Sequence, residues 1–235
     1  MSGFSWDTLV EDVAAAAEPV PGPRTHRLAD EARRASVWLC AGTVPERTPE
    51  AIYNSAPLFD RRGSLKALHR KVHLYTPLGE DRAVGAGERV TVIETDEFGP
   101  VGVSICFDGD FPEVARSMRR EGARIVLHPS AYETEATTWW ETLYPANALA
   151  NGQLWIMANQ AGTNPSGSLL GGSRVISPFG EVIAGATVVR AGEPAEPELL
   201  VVDVELGELL DRAERENGVL WRNGDTIRPG PSTAS

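Results

Sequence analysis

Two reactive side chains stand where chemistry competes with packing as the reason for their presence. Cys106 lies in Gly102-Val103-Ser104-Ile105-Cys106-Phe107-Asp108-Gly109-Asp110-Phe111-Pro112-Glu113, where an apolar, β-forming run ends and Phe-Pro-Glu opens a helical stretch. A thiol at a strand-to-helix turn can face a pocket. Its thiolate is a strong nucleophile, and a helix N-terminus lowers thiol pKa. Asp108-Gly109-Asp110 adds polar groups where a core would have none. Upstream, Arg70-Lys71-Val72-His73-Leu74 places a lysine in a strand-like segment. In an extended chain His69, Lys71 and His73 share a face, and such a basic strip would lower the pKa of a nearby thiol.

Each residue also has a plainer reading. A cysteine in an apolar run is commonly a small buried hydrophobe, and Cys40, within Val37-Trp38-Leu39-Cys40-Ala41, reads that way. A strand lysine is common on sheet edges. His69 and His73 read better as surface or hydrogen-bonded core residues than as zinc ligands. His26 and His128 add no ligand spacing, so no metal site is expected. Glu80 reads as a solvated loop residue or as a carboxylate that holds Lys71 in place.

These groups need elements to position them. Helices are expected over 5–17 and 25–35, with Pro19, Pro21, Gly22 and Pro23 between them. A buried strand follows over 37–44. Strands over 51–60 and 64–74 flank Arg61-Arg62-Gly63-Ser64, a hairpin signal. A Gly-rich loop covers 79–89, and a strand pair covers 90–95 and 100–106. Then come helix 111–121, strand 124–128, helix 138–150 and strands over 153–159, 172–177, 181–188 and 199–204. A charged helix over 206–215 precedes a flexible tail, 228–235. Residues 1–227 read as a single domain, an α/β fold of mixed sheets with helices packed outside.

Bulk composition narrows the partners. The chain has 235 residues, 42% hydrophobic and 23% charged, in the ordinary range for a globular protein. The net charge of −11 argues against nucleic acid or an anionic membrane as partner. No apolar stretch approaches the roughly twenty residues of a membrane span, and the N-terminus lacks a secretory pattern. Two cysteines in apolar runs fit a reducing, cytoplasmic setting.

Taken together the segments resemble the nitrilase, or carbon–nitrogen hydrolase, superfamily, in an amidase-like form. Arg70-Lys71-Val72-His73-Leu74 is similar to its lysine motif, and Val103-Ser104-Ile105-Cys106-Phe107-Asp108 with Phe111-Pro112-Glu113 to its cysteine motif. His128-Pro129-Ser130-Ala131, Ala158-Asn159-Gln160-Ala161-Gly162 and the run from Gly172 to Gly180 resemble downstream markers in order. The resemblance implies an αββα sandwich of two mixed sheets flanked by helices and a Glu-Lys-Cys triad. It makes Cys106 the nucleophile, Lys71 the stabiliser of the tetrahedral intermediate and Glu80 a further carboxylate. Phe107, through its backbone N–H, becomes a substrate contact beside Lys71; Tyr132 is a further candidate contact by its aromatic type alone. No cofactor is implied, the substrate is a small-molecule amide, and a homodimer or higher homo-oligomer is expected.

Two departures accompany the resemblance. Gly3-Phe4 is similar to a pair that follows the family's general-base glutamate, so the first strand and that glutamate are expected to be missing from an N-terminally truncated chain. Ala150, in Asn147-Ala148-Leu149-Ala150-Asn151, stands where a structural glutamate is common. The expected function is hydrolysis of linear amides or carbamoyl compounds through a cysteine thioester. Phe107-Asp108 favours amide over nitrile. Tyr132, Trp139, Trp140 and Tyr144 suit pocket lining and core or dimer packing equally well. One alternative is a catalytically impaired protein of the same fold with a binding or regulatory role. Another is a Cys-His hydrolase using His73 or His128 as base.

Overall fold

Ile125-Val126-Leu127 and Leu154-Trp155-Ile156-Met157 are near-continuous apolar runs, the pattern of parallel strands covered on both faces. The computed structural model, which describes residues 9–164, 167–189 and 196–222, places both in the middle of one sheet. The chain opens with helices α1 (Leu9–Ala16) and α2 (Pro23–Ala35). Strands β1 (Leu39–Cys40), β2 (Val44–Arg47), β3 (Ile52–Phe59) and β4 (Leu65–Arg70) follow, then a one-turn helix α3 (Glu80–Ala83). Strands β5 (Thr91–Thr95) and β6 (Gly99–Val103) lead into α4 (Pro112–Arg120), β7 (Ile125–Ser130), α5 (Thr137–Asn151) and β8 (Leu154–Asn159). The remaining elements are β9 (Ala161–Asn164), β10 (Gly167–Leu170), β11 (Arg174–Ile176), β12 (Val182–Gly185), α6 (Leu206–Asn217) and α7 (Val219–Arg222).

One sheet is centred on β3. Leu58 pairs with Cys40 of β1 on one edge and Ala67 of β4 on the other, and β2 continues the β1 edge. The larger sheet has the order β12-β11-β8-β7-β6-β5. Its β6, β7 and β8 are parallel, while β5, β11 and β12 run antiparallel to their neighbours. The two sheets meet through Ala56, Leu58 and Ala67 on one side and Val103 and Ile105 on the other. Helix α2 packs on β3. On the far face, Ala115 and Met118 of α4 and Trp140, Tyr144 and Ala148 of α5 pack on Val126, Trp155 and Met157. The layers therefore run helix, sheet, sheet, helices, the mixed α/β sandwich expected from the chain. Pro112 opens α4 at its first turn, where the missing N–H costs nothing.

Several boundaries depart from expectation. The strand expected over 37–44 is two short strands separated by Ala41-Gly42-Thr43, with Gly42 at φ +97°. The strand expected over 64–74 stops at Arg70, because Val72 and His73 turn their N–H groups to a side chain of another segment. Helix α3 interrupts the expected 79–89 loop. The β9–β10 hairpin was not anticipated, since its polar, glycine-containing run lacks strand-like patterning. Residues 199–204 form no strand: Leu199 and Val201 are 90% and 78% exposed, and the apolar run finds no ladder partner. Helix α1 is described from Leu9. The pair Gly3-Phe4, the expected limit at 227 and the tail 228–235 lie outside the described residues.

Candidate functional site

Cys106 begins a 3-10 turn, Cys106–Asp110, beyond the end of β6. Its φ of +47° lies in the left-handed region that non-glycine residues avoid. Such strain persists only where surroundings over-determine it, and here they do. Gly109, three residues on, has no room for a side chain. A Cβ there would lie 2.6 Å from Tyr144 Cε1 and 2.7 Å from His128 Cε1, so the turn lies flat on the aromatic cluster. At this φ, glycine at 106 is more forgiving than alanine. Cys106→Gly is expected to exceed Cys106→Ala in stability by about 1–2 kcal/mol. Equal urea midpoints for the two variants would exclude strain at this position.

Asp108 ties this turn to the lysine segment. Its side chain is fully buried. Oδ1 accepts from the backbone N–H groups of Val72 (3.1 Å) and His73 (2.8 Å) and lies 3.2 Å from His73 Nδ1. Oδ2 accepts from Ile105 N–H (3.1 Å) and lies 3.0 Å from His69 Nε2. Burial alone would raise its pKa, but the histidine donors outweigh burial and hold the carboxyl well below the usual carboxylate range. The two histidines therefore do not form a basic strip beside the thiol. His69 lies on β4, His73 lies beyond it stacked on Phe111 at 3.9 Å, and both turn to Asp108.

Lys71 is held just past β4. Its N–H donates to Asn54 O (2.9 Å), and its carbonyl accepts from Gly87 N–H (2.7 Å). The ammonium is buried 2.6 Å from Glu80 Oε2, which also accepts from Tyr75 N–H at 2.8 Å. Glu80 Oε1 accepts from Asn54 Nδ2 at 3.0 Å. Glu80 is thus a buried partner of Lys71, not a solvated loop residue. Burial alone would lower the Lys71 pKa. The negative charge available to Cys106 and that of Glu80 reverse the effect, so Lys71 stays an ammonium.

Cys106, Lys71 and Glu80 line one cavity of about 540 Å³, together with Phe107 and Tyr132. The five residues singled out from the sequence therefore meet. Cys40 lines the same cavity, a finding its mid-strand reading missed. The aromatic stretch divides: Tyr132 and Trp139 face the cavity, whereas Trp140 and Tyr144 are fully buried packing. The Tyr132 hydroxyl donates to Asp110 Oδ1 at 2.5 Å and lies 2.6 Å from the Tyr144 hydroxyl, leaving its ring to the cavity. His128 is buried, bonded to Ser104 Oγ at 2.7 Å, and burial pushes its pKa down to about 3. Neither His73 nor His128 lines the cavity, which removes the geometric basis for a Cys-His pair. Among the described residues no cluster of His, Cys, Asp and Glu could hold a metal ion.

The thiol itself departs from expectation. Burial pushes the Cys106 pKa up; Lys71 and the Ala131 N–H pull it down without cancelling that. The expected α-helix N-terminus is absent from the sulfur, since α4 begins only at Pro112. Burial also pushes Cys40 up, to about 11. Iodoacetamide labelling of Cys106 is therefore expected to keep rising with pH through about 8.5, the ordinary thiol value. A plateau below neutrality would contradict this. Sequence reasoning also passed over Asn54 and did not recognise Asp108 as a junction. A polar residue inside the apolar β3 run was the available sign for Asn54.

The comparisons with known proteins bear on this geometry. The family model described as carbon-nitrogen hydrolase matches residues 5–210. The chain belongs to the carbon–nitrogen hydrolase family. Among relatives of this family, Omega-amidase NIT2 of Xenopus tropicalis is 31% identical over 209 residues, covering 85% of this chain and 72% of that protein. The crystal structure of Saccharomyces cerevisiae Nit3, a nitrilase-superfamily member, superposes with a TM-score of 0.72 at 28% identity, covering 90% of this chain and 75% of Nit3. A mutant of the amidase from Nesterenkonia sp. AN1 superposes at 0.69 with 29% identity, covering 94% and 79% of the two chains. That structure shows covalent addition of the acetamide moiety of fluoroacetamide at its active-site cysteine. Carbon–nitrogen hydrolase chemistry is thus the family's chemistry, and amidases are among this chain's relatives.

Proposed function

We propose that the protein hydrolyses small linear amides or carbamoyl compounds through a thioester on Cys106. The observation that carries this reading is the convergence of Cys106, Lys71 and Glu80 on one cavity. The Cys106 thiolate attacks the carbonyl carbon, and the oxyanion is held by the Lys71 ammonium and the Phe107 N–H. The C–N bond breaks, the thiol proton ends on the departing nitrogen, and water hydrolyses the thioester. Glu80 is a positioning residue: both its oxygens are already engaged, by Lys71 and Tyr75 on one side and Asn54 on the other. Lys71 supplies charge and takes no proton, since it is already an ammonium. Thiolate formation is therefore the demanding step.

A second reading follows from that same step. With the thiol pushed up and Glu80 fully engaged, the chain would be a catalytically impaired member with a binding or regulatory role. Incubation with short aliphatic amides, ammonia detection and intact-mass analysis separates the two readings. Ammonia release, with a transient acyl adduct on Cys106, supports the first; neither release nor adduct, in a folded protein, supports the second. A cytoplasmic homodimer or larger homo-oligomer belongs to the proposal. Two free thiols and the exposed Val182 and Ile183 on edge strand β12 support it, and sedimentation velocity tests the assembly.

A further inference from the structure

The polar atoms on the cavity wall are unbalanced in kind. Three buried side-chain oxygens of residues that line it have no hydrogen-bond partner among the described residues: Asn54 Oδ1, Glu133 Oε1 and Gln160 Oε1. All are acceptors. The Asn54 amide is oriented by its donation to Glu80, and Glu133 presents an acceptor whichever way it is turned. No buried side-chain nitrogen of a lining residue is unpartnered among the described residues. Buried acceptors left unmet cost free energy, so the fitting occupant brings donors.

Charge points the same way. The charged groups lining the cavity are Lys71, Glu80, Glu133 and Glu135. Lys71 and Glu80 neutralise each other, which leaves two carboxylates and no cation to meet them. Trp139, 47% exposed, lines the same cavity. Carboxylates and an indole in one cavity make a setting for an ammonium. The strand ends that carry these groups are stitched together: Gln160 N–H donates to Ser130 O at 3.2 Å, and Tyr132 N–H to Asn159 Oδ1 at 2.8 Å. Ala131, whose N–H points at the Cys106 sulfur, lies two residues before Glu133, so the backbone separation is at most roughly 7 Å. A chain of a few methylenes spans that distance.

We propose that the substrate is a linear amide whose acyl chain ends in a primary ammonium, held by Glu133 and Gln160, and that Glu133 determines this preference. The inference rests on the amidase reading of the same cavity. An acyl chain ending in a carboxylate would meet Glu133 and Glu135 with no cation to offset them.

Binding is the clean test, because it does not depend on turnover. Calorimetric titration of the folded Cys106→Ala variant with δ-aminovaleramide, hexanamide and glutaramate compares ammonium, methyl and carboxylate ends on similar chains. The expected result is δ-aminovaleramide binding at least about tenfold tighter than hexanamide, with glutaramate weakest. Introducing Glu133→Gln into that variant should erase the difference between the ammonium and methyl probes. Equal binding of all three, tighter glutaramate, or a preference that survives Glu133→Gln would overturn the charge assignment while leaving the amide reading standing. No binding of any probe at millimolar concentration would overturn both.

Discussion

Lys71→Met is expected to lower amide turnover by on the order of a thousandfold and to destabilise the protein by roughly 3–5 kcal/mol. Two separate losses underlie this. Lys71 is the cavity's lining cation among the described residues, so its removal leaves a developing oxyanion and the Cys106 thiolate without their charge partner. It also strands Glu80, a carboxylate only 4% exposed, with hydrogen bonds from Asn54 and Tyr75 but no counter-charge. Methionine keeps the length and fills the space, so the effect is electrostatic more than steric. The double variant Lys71→Met/Glu80→Gln separates the losses. Removing the stranded charge should recover most of the stability and none of the turnover. Urea unfolding and an amide assay read the two quantities independently. A single variant within tenfold of wild-type turnover would remove Lys71 from the reaction. A double variant no more stable than the single would show that the pair is not the structural unit inferred here.

Asp108→Asn is the second large effect, expected at about 3 kcal/mol or more of stability and on the order of a hundredfold in rate. Asp108 does not line the cavity. It joins the segment carrying Lys71, through Val72, His73 and His69, to the turn carrying Cys106, through Ile105. Asparagine can accept at one atom, but its amide nitrogen then confronts donors on the other side. One lost clamp shifts two reacting segments relative to each other, and misplacement of about 1 Å is costly in rate. The variant also has a signature in acid. The folded-state pKa of Asp108 is depressed, so its contribution is complete above the unfolded aspartate value of about 3.9 and is lost as pH falls through the lower folded value. The wild type should lose stability steeply below about pH 4, and Asp108→Asn should lack that part of the acid limb. Superimposable acid profiles would refute the assignment.

Which side chains meet at the candidate site was legible in the chain. Cys106 after an apolar run, Lys71 before a turn and Glu80 beyond it are local facts of residue type and order, and the layered fold follows from the alternation of apolar strands and amphipathic helices. The errors fell where the answer was not local. The strand reading of 64–74 put His69, Lys71 and His73 on one face, but a buried carboxylate far along the chain captured the backbone at Val72 and ended the strand. Leu199-Leu200-Val201-Val202 has the composition of a strand, yet no sheet edge receives it.

By itself, then, the order of residues determined the class of fold and singled out the candidate thiol and lysine, because residue type and hydrophobic period are properties of short windows. Only the tertiary structure decided that the thiol is pushed up instead of down, that Glu80 is buried against Lys71, that Asp108 clamps two distant segments, and that the cavity wall is rich in unmet acceptors. Each of those depends on how much water a group has lost and which groups from elsewhere replaced it, and burial of that kind exists only once the sheets have closed on each other.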